Sequence, residues 1–159
     1  MNTTTDEITE NFDDVTLRLV YESMLDPNTS NYSEDDDELT MDEVKRIIKN
    51  ERISRILLDG EVVGVYTPGL VHISCYFEWG LNRNFHYSRI GIVYIDKKHR
   101  NKGIASKILK EHVETRDKYA ECCNENNHAS NAILSKYLKF HKRAYIRRRD
   151  EYMNIYIKE

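Results

Sequence analysis

The chain has few cysteines, and they are not placed to form a covalent staple or a metal site. Cys75, Cys122 and Cys123 make no Cys-x-x-Cys pair, two of them are adjacent, and the count is odd. A disulfide framework is thereby excluded, and a reduced, cytosolic setting fits, with the thiols as small core residues. The histidines are scattered without ligand spacing, so no metal is expected. No apolar run is long enough to span a bilayer. Residues 1–10 are polar and acidic, unlike a secretory leader, so the expectation is a cytoplasmic protein with no membrane association. Internal repeats, low-complexity tracts and interdomain linkers are also missing. A chain of 159 residues is one domain's worth, enough to bury a core, and a single domain over residues 1–159 is expected.

What is present is charge, unevenly spread. Acids gather in the first part, at Asp13-Asp14, Glu34-Asp35-Asp36-Asp37-Glu38 and Asp42-Glu43. Bases gather at the end, at Lys139, Lys142, Arg143 and Arg147-Arg148-Arg149. Such runs read first as solvated loops and faces. Read functionally, the acidic part would attract a cationic amine, and the basic part would suit nucleotide phosphates or an acidic partner.

Residues 5–10 read as a first strand. Residues 11–25 read as a helix capped by Asp13 or Asp14, with Phe12, Val15, Leu19 and Met24 on one face. Its Thr-Leu-Arg-Leu-Val-Tyr segment also alternates, so a strand stays open there. Residues 28–39 form a polar, acidic loop. Thr40 then caps a helix over 41–51, with Glu43 completing a capping box. Residues 53–58 and 61–66 flank Asp59-Gly60, the strongest hairpin signal in the chain. After Pro68-Gly69, residues 70–79 resume strand-like alternation, with Val71, Ile73, Cys75 and Phe77 set against His72, Ser74, Tyr76 and Glu78. A central strand over 87–95 and a central helix over 102–116 follow. Next come a strand over 118–124, a helix over 129–138 and an antiparallel pair over 140–147 and 151–157. Counting residues 61–79 as one strand interrupted at Pro68-Gly69, the order reads β-α-α-β-β-β-α-β-α-β-β, a mixed α/β sheet.

Residues 90–111 organise the rest. An apolar run, Ile90 to Ile95, passes through a polar turn into a helical pattern with Ile104, Ala105, Ile108, Leu109 and Val113 on one face. Between them stands Arg100-Asn101-Lys102-Gly103-Ile104-Ala105. A strand, a glycine-bearing turn and a helix N-terminus make an anion site, because the first N–H groups have no intrahelical partners and the helix dipole adds positive charge. Gly103 and Ala105 let a phosphate approach the backbone, and Arg100 and Lys102 add formal charge.

Arg-x-x-Gly-x-Ala after an apolar strand, here Arg100, Gly103 and Ala105, resembles the pyrophosphate-binding signature of the GNAT superfamily of N-acetyltransferases. The longer pattern, Val-x-Pro-x-x-Arg-x-x-Gly-x-Gly/Ala, runs here from Ile95 to Ala105 with Lys97 in place of proline. The resemblance implies a GNAT-like α/β (α+β) fold. That fold has a mixed, mostly antiparallel sheet, splayed central strands and about four helices. It also implies acetyl-coenzyme A as co-substrate, lying between those strands. The backbone of Val93 and Ile95 would bind its pantetheine arm. Arg100, Asn101, Lys102, Gly103, Ile104, Ala105 and Ser106 would hold its pyrophosphate.

A second signature, Asn-x-x-Ala-x-x-Leu-Tyr-x-x-Leu-Gly-Phe, is matched more loosely by residues 127–140. Leu138-Lys139-Phe140 resembles Leu-Gly-Phe, and Asn127 resembles the pantetheine-binding asparagine if one extra residue intervenes. Ser135 falls where the family often has a tyrosine that protonates the departing thiolate, and Tyr137 stands two residues on. Family members often carry a glutamate base on the central strand, where this chain has Arg89 or Gly91. Glu78, His86 and Tyr87 are the nearby alternatives.

The reading is an acetyl-coenzyme A-dependent N-acetyltransferase acting on a primary amine of a small molecule or protein. A homodimer is left open, and nucleic acid is not an expected partner, because the acidic first half breaks any uniformly basic footprint. The alternative is a GNAT-like coenzyme A- or protein-binding module that turns over weakly or not at all.

Overall fold

In the computed structural model, residues 2–8, 13–26, 40–50 and 52–159 are described. The acidic run Glu34 to Glu38, Phe12 and the 28–39 loop expectation lie outside them. The chain divides into two compact units, one of Met1–Pro68 with Gly91–Ala105 and one of Gly69–Ile90 with Ser106–Glu159. Seven strands follow the hydrogen-bonded order β1-β2-β3-β4-β5-β7-β6. They are β1 (Thr3–Ile8), β2 (Ile53–Leu58), β3 (Glu61–Leu70), β4 (Ser88–Ile95), β5 (Tyr119–Asn124), β6 (Lys139–Ile146) and β7 (Glu151–Lys158). The described residues hold five α-helices: α1 (Asp14–Leu25), α2 (Met41–Asn50), α3 (Tyr76–Trp79), α4 (Ile104–Glu114) and α5 (His128–Tyr137).

Local signals account for the first unit. Asp13 caps α1 by accepting the Thr16 N–H at 2.7 Å. Thr40 and Glu43 make the reciprocal capping box, at 3.1 and 3.3 Å, that starts α2. Asp59 and Gly60 take φ values of 51° and 84°, the left-handed pair that a tight β2–β3 hairpin requires. One face of each helix is apolar. Leu17, Leu19, Val20 and Met24 of α1 and Val44 and Ile48 of α2 pack with Ile53, Val65 and Tyr94 into one core. Val15, expected on that face, is instead exposed. Arg55 of β2 joins Asp6 of β1 and Asp13 at the head of α1.

The second unit holds the main departure from the sequence reading. Residues 70–79 are not a strand: β3 ends at Leu70, a 3-10 turn covers Ile73–Cys75, and α3 follows. The His72 ring accepts the Ser74 N–H and so turns the chain into the helical segment. Tyr76 and Trp79, three apart, are buried on one side of that segment, while Ile73 and Phe77 are exposed. The Tyr76 hydroxyl donates to the Phe85 carbonyl at 2.7 Å. Alternation there was accidental, and burial of two large rings with a satisfied hydroxyl overrides it. Val71, Tyr76, Trp79, Leu81, Tyr87, Ala120, Ala144, Ile146, Met153 and Ile155 form this unit's core. No described helix is long and apolar enough to cross a membrane.

Candidate active site

The turn between β4 and α4 carries the glycine-bearing run singled out in the sequence. After Ile95, the Asp96 N–H pairs with the Val63 carbonyl at 2.8 Å, and Lys97–His99 make one 3-10 turn. Arg100 is extended, Asn101 has φ 62°, Gly103 has φ 75°, and α4 begins at Ile104. Among the described residues no backbone carbonyl accepts from the N–H groups of Asn101, Lys102 or Gly103. The first N–H groups of α4 have no intrahelical acceptor by construction. Left-handed residues just before a helix N-terminus are the kind of backbone from which anion-binding nests are made. The space in front of Gly103 is open: a Cβ placed there would meet nothing within 4 Å.

Side chains brace this turn. The Arg100 Nε donates to the Ile95 carbonyl at 3.0 Å, and its guanidinium carbon lies 5.1 Å from the centroid of the Tyr94 ring. The Tyr94 hydroxyl donates to Glu22 at 3.2 Å. Arg18 joins Glu22 at 3.1 Å and Asp96 at 2.9 Å, so α1 is tied to the residue that opens the turn. The Arg18 hydrogen bond holds the Asp96 carboxyl below its ordinary range. The Lys102 ammonium sits 3.3 Å from the His99 ring. Val93 and Ile95 lie in the second half of β4, as read from the sequence.

Beyond the turn, the Ser106 hydroxyl on α4 meets the Tyr137 hydroxyl at the end of α5, 2.9 Å away. Ser135 is exposed, and its hydroxyl donates to the Ala132 carbonyl of its own helix at 3.0 Å. Asn127 is the N-cap of α5, accepting the Ser130 N–H at 3.2 Å. The asparagine that ties α5 to the sheet is Asn131: it donates to the carbonyls of Asn124 and Asn127 and accepts from Asn154 and Tyr156.

The candidate bases are dispersed. Glu78 is half-buried on α3, where its carboxylate accepts the Arg147 N–H at 3.1 Å. Tyr87 is fully buried; its hydroxyl donates to Glu159 at 2.6 Å, and burial together with that carboxylate pushes its pKa up to about 12. His86 is exposed. Gly91 cannot be replaced by a glutamate as the strand stands: an added Cβ would lie 2.7 Å from the Thr67 hydroxyl, which takes the Ile92 N–H at 2.8 Å.

A carboxylate does stand beside β4, but it comes from β5. Glu121, 6% exposed, accepts from Arg89 at 2.8 Å, the Ile90 N–H at 3.0 Å and the Cys122 N–H at 3.2 Å. Arg89 in turn lies over the Trp79 ring at 5.3 Å. The sequence offered one signal for it, a lone acid between Ala120 and Cys122 in a strand of small residues. Its partner, 32 residues away, had none. No group of residues that could hold a metal ion occurs among those described.

The model of the acetyltransferase (GNAT) family matches residues 17–140, so the chain belongs to that family and is an acetyltransferase. Solved structures agree in fold. The GNAT acetyltransferase of Streptococcus agalactiae 2603 superposes with a TM-score of 0.73 at 16% identity, over 98% of this chain and 94% of that one. An N-acetyltransferase of Staphylococcus aureus Mu50 gives 0.65 at 17%, over 100% and 99%. A GNAT acetyltransferase of Elizabethkingia anophelis, solved with acetyl-CoA bound, gives 0.64 at 12%, over 99% and 98%. No curated protein matches the sequence.

Proposed function

We propose that this acetyltransferase moves an acetyl group from acetyl-coenzyme A directly to a primary amine of a small molecule or protein, both units acting as one domain. The observation that carries the reading is the Arg100–Ser106 turn, with two left-handed residues, unclaimed N–H groups and two cationic side chains before a helix N-terminus. Those N–H groups and Arg100 suit a pyrophosphate, and Val93 and Ile95 would offer backbone to the pantetheine arm. The amine nitrogen forms a bond to the acetyl carbon and gives up one proton, the carbon–sulfur bond breaks, and the thiolate leaves with a proton. Tyr137 is the candidate donor of that proton, since its hydroxyl already lies at the first turn of α4, against Ser106. Holding both reactants in register would supply much of the rate if the amine arrives deprotonated. Three free thiols are consistent with a cytoplasmic setting.

Calorimetry with acetyl-coenzyme A and thiol release across a panel of amines test the reading together. Binding with turnover supports it. Binding without turnover on any amine favours the second reading, a coenzyme A-binding module. That alternative draws support from Ser135, which occupies the usual acid's position with its hydroxyl spent on its own helix.

A further inference from the structure

The segment from Asp96 to Gly103, between β4 and α4, holds one 3-10 turn and no strand. Its direction is set by a ring of contacts that closes through α1. Asp96 opens the segment: its N–H pairs with the Val63 carbonyl, and its own carbonyl takes the His99 N–H at 2.8 Å. It stands at the N-cap position of the 3-10 turn, yet its carboxylate makes no capping bond there and takes Arg18 of α1 instead, at 2.9 Å. Arg100 closes the turn. Its Nε returns to the Ile95 carbonyl, and its guanidinium lies on the Tyr94 ring. The Tyr94 hydroxyl donates to one oxygen of Glu22, and Arg18 donates to the other. Both ends of the segment therefore lead to one pair of side chains, a single turn apart on α1. That helix is anchored in the core through Leu17, Leu19, Val20 and Met24. All of these residues belong to the first unit. The Arg18 side chain is 45% exposed, so its ion pairs contribute little to stability by themselves. A rigid guanidinium fork spanning two carboxylates is better suited to fixing an angle.

We propose that Arg18 is a positioning residue for the acetyl donor: through Asp96, and through Glu22 and Tyr94, it holds both ends of the Asp96–Arg100 segment and so sets the direction from which Arg100 and the following N–H groups meet the pyrophosphate. The inference rests on the functional reading above, in which the Arg100–Ala105 turn receives that group. Arg18 is assigned no contact with the donor.

The test uses the full chain. Arg18→Met keeps the length of the side chain and removes the fork, but it also leaves the Asp96 carboxylate bare. The double variant Arg18→Met with Asp96→Asn removes that charge as well. Folding is checked by circular dichroism, and calorimetry gives Kd for acetyl-coenzyme A and for acetyl-pantetheine, which lacks the pyrophosphate. In both variants Kd for acetyl-coenzyme A should rise about three- to tenfold, the scale on which residues outside a site modulate it. Kd for acetyl-pantetheine should stay within about twofold of wild type, a split that general loosening of the fold would not produce. Arg18→Lys keeps one ion pair and should show a smaller loss with the same split between donors. Should the Met variants not fold, the Lys variant decides, and wild-type affinity for acetyl-coenzyme A in it overturns the proposal. Wild-type affinity in a folded Arg18→Met chain overturns it too. Affinity restored in the double variant would trace the loss to the bare carboxylate, and equal losses for both donors would trace it to the fold; either result overturns the positioning role. A wild-type chain that binds no acetyl-coenzyme A would instead overturn the functional reading beneath it, and this proposal with it.

Discussion

The hydroxyls of Tyr137 and Ser106 meet at 2.9 Å, although 31 residues separate them in the chain. The contact puts a phenol, the stronger acid of the two, at the first turn of α4. Tyr137→Phe should lower kcat by about a hundredfold or more, the scale of a lost general acid, and leave the Kd for acetyl-coenzyme A within threefold. Steady-state kinetics with calorimetry check this. An unchanged kcat would make Tyr137 a packing residue that orients Ser106.

Gly103 sits at φ 75° with open space before it. Gly103→Ala should cost roughly 1 kcal/mol from the left-handed backbone alone and weaken the donor modestly. Gly103→Glu should abolish donor binding, because it sets bulk and negative charge where the proposed function puts the pyrophosphate. Calorimetry on a folded Gly103→Glu variant is the measurement, and wild-type affinity would remove the turn from the donor site.

Tyr94 carries the Arg100 guanidinium on its face, 5.1 Å from the ring centroid. Tyr94→Leu should release Arg100 and weaken acetyl-coenzyme A by about two- to fivefold, the scale of one exposed cation–π contact. Acetyl-pantetheine, which lacks the pyrophosphate, should be unaffected. Equal losses for both donors would show general disturbance of the core around Tyr94 instead.

His112 on α4 is buried edge-on to Tyr119, and burial, then Arg116, pushes its pKa down to about 4. Folding therefore favours the neutral ring. Its contribution is present above the unfolded value near 6.5, and it is lost as pH falls from there toward 4. The full span is on the order of 3 kcal/mol. His112→Phe keeps the ring contact and should flatten the stability profile between pH 6.5 and 4, read by chemical denaturation of both chains at each pH. Parallel profiles would mean that His112 does not titrate in that window.

How much could be read without coordinates depended on sequence distance. The caps at Asp13 and Thr40, the Asp59-Gly60 hairpin and the Arg100–Ala105 turn are complete within a few residues, because the groups that satisfy one another there are chain neighbours. The family followed from the same local run, since the signature that carries the resemblance is complete within a few residues. Residues 70–79 went the other way. Their alternation is local, but the burial of Tyr76 and Trp79 in a core shared with β5, β6 and β7 is not, and it made the segment helical. Arg89 and Glu121, Tyr137 and Ser106, and α1 braced on Asp96 through Arg18 are likewise products of the tertiary structure. Nothing at either partner's position in the sequence names the other. A buried charge can persist only where the fold delivers its counter-charge and donors, and only the folded sheet brings those groups within 3 Å of each other.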